Sequence, residues 1–196
     1  MTASTHRVLR RAFGVAVLAL LAVLPAGSVA AQPRKAAFDF TGDGSSDVLF
    51  HKGSTIGAWN YAAAGVAVPY LIGAVDTDGY IVGAGDYNGD GTSDLLFRHA
   101  LTGATGYWAV RNGQLSSFVP LIWDTSPRWH VVGSRKRTDF NGDGRDDILW
   151  RHDSGQLGMY TMTGGGPFQF TWTVIGTYPR DWTVVGTGDF DGDGGD

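Results

Sequence analysis

A short acidic segment that recurs about every fifty residues constrains this chain more than any other feature. Complete copies begin at Asp39, Asp86 and Asp139, and a further copy begins at Asp189. The starting points are 47, 53 and 50 residues apart. Repetition at this spacing indicates a protein assembled from similar structural units that pack against their neighbours. We expect units at about 39–85, 86–138 and 139–188, and a partial unit at 189–196.

Each complete copy carries oxygen-bearing side chains at positions one, three, five and nine, and the fourth copy carries them at positions one, three and five. In the first copy these are Asp39, Thr41, Asp43 and Asp47, and position six is a glycine. This pattern suits a hard cation such as Ca²⁺, because alternate residues point inward while the glycine allows a sharp turn. The EF-hand is excluded because it requires Glu at position twelve, and this chain contains no glutamate. The remaining alternative is a set of Asp/Gly turns that bind no metal.

The sequence around the acidic segments repeats as well. An aromatic and β-branched run precedes a copy, and three further apolar runs follow it. The preceding runs are Tyr80–Gly83, Trp129–Gly133 and Trp182–Gly186. The first following runs are Val48–Phe50, Leu95–Phe97 and Ile148–Trp150. With many β-branched residues and no convincing amphipathic helix, this pattern predicts an all-β fold.

Four short strands in each unit of about fifty residues are typical of the blades of a β-propeller. The acidic loop then joins the first and second strands of its blade. Because the apolar runs are nearly continuous, we expect strands that are buried on both faces between neighbouring blades. A β-solenoid is the alternative architecture, but the period is too long for the short-repeat calcium β-roll.

Residues 1–30 have the features of a signal peptide. Arg7, Arg10 and Arg11 precede an apolar run from Phe13 to Leu24, and small residues follow. Export could use the general pathway or the twin-arginine pathway. We therefore expect a secreted or periplasmic protein that comprises residues 31–196. Removing three arginines changes the formal charge from −4 to −7, which disfavours nucleic acid as a partner.

The loops and their flanking strands resemble the FG-GAP and VCBS repeat families of extracellular calcium-binding propellers. The resemblance extends over the whole of residues 31–196. It implies side-chain ligands at positions one, three, five and nine, and the backbone carbonyl of position seven. The implied Ca²⁺ ligands are Asp39, Thr41, Asp43, Ser45, Asp47, Asp86, Asn88, Asp90, Thr92, Asp94, Asp139, Asn141, Asp143, Arg145, Asp147, Asp189, Asp191 and Asp193.

The same resemblance implies a non-catalytic module for adhesion or ligand recognition, with an extracellular protein or a glycan as its partner. The alternative is a carbohydrate-binding lectin, or an accessory module of a secreted polysaccharide-degrading enzyme. Trp59 and Trp108 lie near predicted turns and are the candidates for stacking on a sugar ring, whereas Trp150 and Trp182 are expected to pack between blades. No nucleophile elbow, zinc-helix motif or phosphate loop is present in the sequence.

Two further expectations concern the strand ends and the number of blades. Basic pairs follow the second predicted strand at His51–Lys52, Arg98–His99 and Arg151–His152. We expect them at solvated strand ends; a ring of cations that binds an anionic or sugar ligand is the alternative. Three complete units and part of a fourth are fewer than the usual four to eight blades. Either a longer parent sequence or a homo-oligomer would complete the ring.

Overall fold

The computed structural model describes residues 36–61, 65–76, 78–123, 126–133, 137–190 and 195. Within these ranges the chain forms eleven strands and no helix, so no described helix is long and apolar enough to cross a membrane. The signal peptide predicted at residues 1–30 lies outside the described residues. The strands are β1 (Val48–Lys52), β2 (Thr55–Tyr61), β3 (Ala67–Ala74), β4 (Gly79–Gly85), β5 (Asp94–His99), β6 (Thr105–Arg111), β7 (Gln114–Ile122), β8 (Trp129–Val132), β9 (Ile148–His152), β10 (Gln156–Met162) and β11 (Phe170–Thr177).

The strands form three antiparallel sheets in which neighbours in sequence are neighbours in space. Sheet A has the order β1-β2-β3, sheet B has β4-β5-β6-β7, and sheet C has β8-β9-β10-β11. Short connections produce this order, because antiparallel strands can be joined by tight turns. The all-β prediction is confirmed, as is the prediction of four strands per unit for sheets B and C. In sheet A the described residues form three strands.

The acidic segments occupy the same place in each sheet. Residues 86–94 connect β4 to β5, and residues 139–147 connect β8 to β9. Residues 39–47 lead directly into β1. In sheets B and C the acidic loop therefore lies between the first and second strands, as predicted. All three loops lie at the same end of their sheets, where β1, β5 and β9 begin.

Two apolar clusters join the sheets. One contains Ile56 and Ile72 of sheet A together with Leu95 and Val110 of sheet B. The other joins sheets B and C and includes Leu96, Tyr107, Leu121, Ile148, Trp150 and Tyr160. Sheet B therefore contributes side chains from both of its faces to the core. The first five residues of β5, Asp94–Arg98, are all buried, as the continuous apolar run predicts.

The sequence predicts strands that are buried on both faces, and this is wrong for the last strands β3 and β11, where Leu71, Val174 and Ile175 are 47–57% exposed. It is also wrong for β1. Val48 and Phe50 are each nearly half exposed. Both lie on the face of sheet A that is turned away from sheet B, and no other described sheet covers that face. An apolar run is buried only where a second surface meets it, so the sequence of β1 alone could not decide its exposure.

Residues 182–190 differ from prediction in a similar way. The Trp182–Gly186 run was predicted to be a strand, but the structure gives this segment no strand. Trp182, which we expected to pack between blades, is 67% exposed. A strand needs a neighbour that pairs with its N–H and C=O groups, and none of the described sheets supplies one here.

The basic pairs do not all lie at solvated strand ends. Arg98 is buried, and its guanidinium lies 5.1 Å from the ring centre of Trp150 in the next sheet. Its Nη2 atom donates a hydrogen bond to the carbonyl of Ser126 at 3.1 Å, in the connection between sheets B and C. Arg151 makes the equivalent bond to the carbonyl of Pro179 at 2.8 Å. These arginines therefore join each sheet to the chain segment that leaves it.

Replacing Arg98 with alanine removes the cation–π contact and the buried hydrogen bonds. We expect Arg98→Ala to lower the free energy of unfolding by about 2–3 kcal/mol. Arg128→Ala is the control, because Arg128 is exposed and pairs with Asp153 at 3.6 Å on the surface. The control should lose less than about 1 kcal/mol. Urea denaturation measures both values, and equal losses would contradict the structural role given to Arg98.

Candidate functional site

The acidic loops share one backbone conformation. Glycines at positions four and six have positive φ angles in all three loops: Gly42 and Gly44, Gly89 and Gly91, and Gly142 and Gly144. Glycine adopts this left-handed region without the strain that a Cβ atom would introduce. The sequence argument relied on the glycine at position six, and the structure adds the one at position four. Two left-handed residues so close together turn the chain tightly around the first aspartate.

The first aspartate of each loop organises the turn by accepting backbone N–H groups. Asp39 accepts hydrogen bonds from Gly42 at 2.7 Å and from Gly44 at 2.8 Å. Asp39 also accepts from Asp43 at position five at 3.2 Å, and Asp86 and Asp139 accept from positions five and six at 2.9–3.0 Å. Bonds to an ionised acceptor are among the stronger hydrogen bonds in proteins. The carboxylate at position one therefore holds the loop closed.

The aspartate at position nine is buried in all three complete loops, and in the second and third it is the most buried residue of the loop. Asp94 is fully buried, and its Oδ1 accepts a hydrogen bond from the Val110 N–H of β6 at 3.1 Å. Its Oδ2 atom is buried and has no hydrogen-bond partner. Asp47 likewise has a buried Oδ1 without a partner, while its Oδ2 accepts from the Phe40 N–H and the Tyr70 hydroxyl. In the third loop both oxygens of Asp147 accept backbone N–H groups.

Burial makes the charged form of these groups unfavourable. Desolvation raises the pKa of Asp94 to about 8 and that of Asp147 to about 7. It also raises the pKa of Asp47, with smaller contributions from the neighbouring carboxylates Asp39 and Asp43. Two orphaned carboxylate oxygens in surroundings that disfavour negative charge are suited to a cation. Oxygen donors of this kind fit Ca²⁺ better than zinc, which prefers nitrogen or sulfur.

Position eight connects one loop to the next, and the sequence argument missed it. The Ser93 N–H of the second loop donates to the Asp39 carbonyl of the first at 2.6 Å. The Asp146 N–H of the third donates to the Asp86 carbonyl of the second at 2.9 Å. The Asp146 carboxylate also accepts the Asp86 N–H and the Thr138 N–H, each at 2.6 Å. The signal available in the sequence was the additional aspartate next to Asp147.

Two other polar side chains reach the first loop from strands of sheet A. Asn60 of β2 donates to the Asp43 carboxylate at 2.8 Å and to the Thr41 hydroxyl at 3.1 Å. Tyr70 of β3 donates its hydroxyl to Asp47 at 2.9 Å. No sequence signal identified these residues, because they lie 17 to 23 positions from their partners.

The structure brings the predicted ligands of each loop into one turn but does not arrange them as a ready metal cage. Among the described residues, no three His, Cys, Asp or Glu side chains group closely enough to hold a metal ion. The carboxylates at positions one and five instead accept loop N–H groups, as Asp43 does from Ser45. In the fourth copy Asp189 is described, whereas Asp191 and Asp193 lie outside the described residues.

The two candidate tryptophans have different surroundings, and both lie within strands rather than near turns. Trp59 of β2 is 46% exposed and packs against Phe50, with 4.8 Å between the ring centres. Trp108 of β6 packs against Phe118 at 5.2 Å and belongs to the partly buried edge of the core between sheets A and B. Of these two tryptophans, only Trp59 therefore presents much of its ring to solvent.

A cavity of about 460 Å³ lies between sheets B and C, near the Arg98 side chain. Its lining is aromatic on the side of sheet C: Trp129, Trp150, Tyr160, Phe170 and Trp172. Ile122 and Ser126 line the other side. The Trp150 indole N–H is buried and has no acceptor. The cavity lies at the end of the sheets opposite the acidic loops. Trp129, which lines it, is the first residue of β8, and the third acidic loop follows the other end of that strand.

Comparison with known protein families identifies one of the repeats. Residues 139–196 match the model of a family described as the FG-GAP-like repeat. The match begins at the first aspartate of the third loop and includes β9, β10 and β11. The predicted resemblance to FG-GAP repeats is therefore confirmed for residues 139–196, and the chain contains an FG-GAP-like repeat. No curated protein matches the chain.

The Asp146 carboxylate should stabilise the fold measurably. Asp146→Ala leaves the buried N–H groups of Thr138 and Asp86 without their acceptor, and we expect it to lower the free energy of unfolding by about 2–4 kcal/mol. Ser93→Ala is the matched control, since Ser93 holds the same loop position and contributes its backbone N–H. It should lose less than about 1 kcal/mol. Guanidinium denaturation measures the free energy of unfolding of both variants. If both lose a similar amount, the Asp146 carboxylate is not the group that connects the two loops.

Proposed function

We propose that this chain is a secreted, non-catalytic, calcium-binding β-propeller module that recognises an extracellular ligand. The observation that carries the proposal is the pair of buried, unpartnered carboxylate oxygens, Asp47 Oδ1 and Asp94 Oδ2, in loops of the expected ligand pattern. A buried charge without a partner is costly unless a counter-charge accompanies it. The FG-GAP-like repeat at residues 139–196 supports the same function.

Sheets A, B and C have the properties that blades of a propeller need. Sheets B and C are four-stranded antiparallel meanders, and consecutive sheets share an apolar core. Successive acidic loops lie side by side, joined by the hydrogen bonds from position eight to position one. A stack of such sheets around an axis is a propeller.

Ca²⁺ would be held in each loop by the side chains of positions one, three, five and nine and by the carbonyl of position seven. In the second loop these residues are Asp86, Asn88, Asp90, Asp94 and Thr92. The ion supplies positive charge and a coordination centre. The residues of the chain fix the turn: Asp86 orders the glycines, and Asp94 ties the loop to β6 through the Val110 N–H. The role is structural, and it leaves the outer surfaces of the sheets for ligand recognition.

Calcium should stabilise the protein by binding the folded state. At ten times its Kd, each site is expected to add about 1.4 kcal/mol to the free energy of unfolding. Thermal unfolding should therefore show a Tm several degrees higher in 10 mM CaCl₂ than in chelator. An unchanged Tm in 10 mM CaCl₂ would sink the calcium proposal.

Asp94→Asn tests the site itself, because it keeps the size of the side chain and the acceptor for Val110. Titration calorimetry should then give one bound Ca²⁺ fewer per chain, and the calcium-dependent rise in Tm should shrink. Asp153→Asn is the control, since Asp153 is exposed and lies outside the loops. If both variants retain the wild-type stoichiometry, Asp94 is not a ligand.

A carbohydrate-binding role is the second candidate function, and the aromatic cavity favours it. Trp129 and Trp172 offer partly exposed ring faces, beside the buried rings of Trp150 and Tyr160. Aromatic rings that have a polar edge are suited to ligands with one apolar and one hydrated side. The exposed Trp59 is a separate stacking candidate on sheet A.

Binding to immobilised polysaccharides and oligosaccharides distinguishes these surfaces. If the cavity is the site, Trp172→Ala should weaken binding about tenfold. If sheet A is the site, Trp59→Ala should do so, while Trp108→Ala should have a smaller effect because that ring is packed. Trp182→Ala is the control, since Trp182 is exposed outside both surfaces. If the protein binds a glycan and none of the first three variants changes that binding, neither surface is the site. If the protein binds no glycan at all, the carbohydrate-binding role is excluded.

A further inference from the structure

A continuous hydrogen-bond path runs from the second acidic loop into the first. The Ser93 N–H of the second loop donates to the Asp39 carbonyl of the first at 2.6 Å. The peptide unit of that carbonyl continues the path, because its Phe40 N–H donates to Asp47 Oδ2 at 3.0 Å. The other oxygen of Asp47, Oδ1, is buried and finds no hydrogen-bond partner among the described residues. The path therefore ends on the position-nine carboxylate of the first loop.

The path begins at a backbone carbonyl of the second loop. Thr92 and Ser93 share a planar peptide unit, in which the carbonyl and the N–H point in opposite directions. Because the Ser93 N–H points at the first loop, the Thr92 carbonyl points away from it. That carbonyl is the position-seven ligand of the second loop in the proposed function. Two peptide units, 92–93 and 39–40, thus connect a ligand of one proposed site to a ligand of the other.

Side chains and a turn of sheet B hold the two loops together around this path. The Thr92 methyl group lies against Gly42, where an added Cβ atom would be 3.2 Å away from it. The Thr92 hydroxyl donates to the Val110 carbonyl at 2.7 Å, which fixes the residue on β6. In the turn between β6 and β7, the Gly113 N–H donates to the Phe40 carbonyl at 3.0 Å. The shape of the first loop therefore depends on groups that sheet B supplies.

The loops at the two ends of the path share an unmet need for positive charge. Asp94 of the second loop is fully buried, and its Oδ2 finds no partner among the described residues, as is true of Asp47 Oδ1. The Asn88 amide lies 3.4 Å from Asp94 Oδ1, so this carboxylate is turned toward its own loop. Buried carboxylate oxygens of this kind are suited to a cation. The inference below rests on the proposed function, in which both loops bind Ca²⁺.

The corresponding path between the third loop and the second is interrupted. Its first bond is the same, since the Asp146 N–H donates to the Asp86 carbonyl at 2.9 Å. The next N–H, that of Tyr87, donates to the Gly85 carbonyl at 3.0 Å. The Asp146 carboxylate accepts the Asp86 N–H, and the peptide unit of that N–H leads to the same Gly85 carbonyl. The path from the third loop therefore ends on a carbonyl outside the ligand set, and not on Asp94.

Polarisation along the uninterrupted path has a definite sign. Hydrogen bonds in a chain polarise one another, so that each bond strengthens the next. Positive charge at the Thr92 carbonyl draws electrons toward that oxygen and makes the Ser93 N–H a stronger donor. The Asp39 carbonyl is polarised in the same sense, and the Phe40 N–H becomes a stronger donor to Asp47. A stronger donor stabilises the buried carboxylate in its charged form, which is the form that binds a cation.

We propose that the first and second loops bind Ca²⁺ cooperatively, coupled through the peptide units of residues 92–93 and 39–40. Occupation of the second loop raises the affinity of the first. Because such coupling is reciprocal, occupation of the first raises the affinity of the second by the same factor. Coupling between the third and second loops is weaker, since the path between them does not reach a position-nine carboxylate.

Removing one ligand charge from each loop in turn tests the coupling. Asp90→Asn weakens the second site and Asp143→Asn weakens the third. The two aspartates are matched, because each lies at position five and accepts the position-seven N–H of its own loop, a bond that asparagine can keep. Calcium titration of the full chain, followed by NMR, gives a separate Kd for each loop from the amide signals of its position-six glycine. The titration is run in roughly 0.3 M KCl, which screens exposed charges more than about 6 Å apart.

We expect Asp90→Asn to raise the Kd of the first loop at least about fivefold, and Asp143→Asn to raise the Kd of the second by less than about twofold. Asp43→Asn in the first loop should raise the Kd of the second by the factor that Asp90→Asn produces in the first.

Two results would overturn the coupling and leave the calcium sites in place. One is an unchanged Kd of the first loop in Asp90→Asn. The other is an equal effect of Asp90→Asn and Asp143→Asn on the loop that precedes each of them, because the interruption at Gly85 would then have no consequence. If no glycine amide responds to Ca²⁺, the proposed function is refuted and the coupling with it.

Discussion

The structure depends on how the acidic loops bury their carboxylates. Each loop places an aspartate at position nine inside the protein, where it accepts hydrogen bonds from its own turn, from a neighbouring strand of the sheet, or from both. The same loops are joined to one another through position eight, so that the turn of one sheet is fixed by the turn of the next. A buried charge is tolerated only where donors or a counter-charge are held in place. The packing of consecutive sheets and the geometry of the candidate metal sites therefore have one cause.

A different interaction holds the opposite end of the sheets. There Arg98 lies over Trp150 of the following sheet and binds the connection between the two sheets. Arg151 repeats the bond to the segment after β11. The interface between sheets B and C thus has polar loops at one end, an apolar centre and Arg98 at the other. The aromatic cavity lies in this interface, next to Ser126 and Trp150, which Arg98 contacts.

The proposed functions follow from the unequal surroundings of equivalent residues. Phe50, Phe97 and Trp150 hold one position in the repeat, yet Phe50 is exposed and the other two are buried. The loops repeat closely, and this favours a common structural role for the calcium ions that we propose they bind. The exposed face of sheet A and the exposed residues 182–190 have buried or strand-forming counterparts in the other units, so their exposure depends on their surroundings and not on their own sequence.

The sequence by itself determined the period, the all-β class and the position of the acidic loop between the first and second strands. Local chemistry is sufficient for these features, because Asp and Gly specify turns and β-branched runs specify strands wherever they occur. Tertiary structure alone decided that Arg98 is buried, that Asn60 and Tyr70 reach the first loop, and that Asp146 joins two loops. It also decided that β1 is exposed and that residues 182–190 form no strand. Each of these outcomes depends on which surface lies opposite, and a residue's own sequence neighbourhood carries no information about a partner that is distant in the chain.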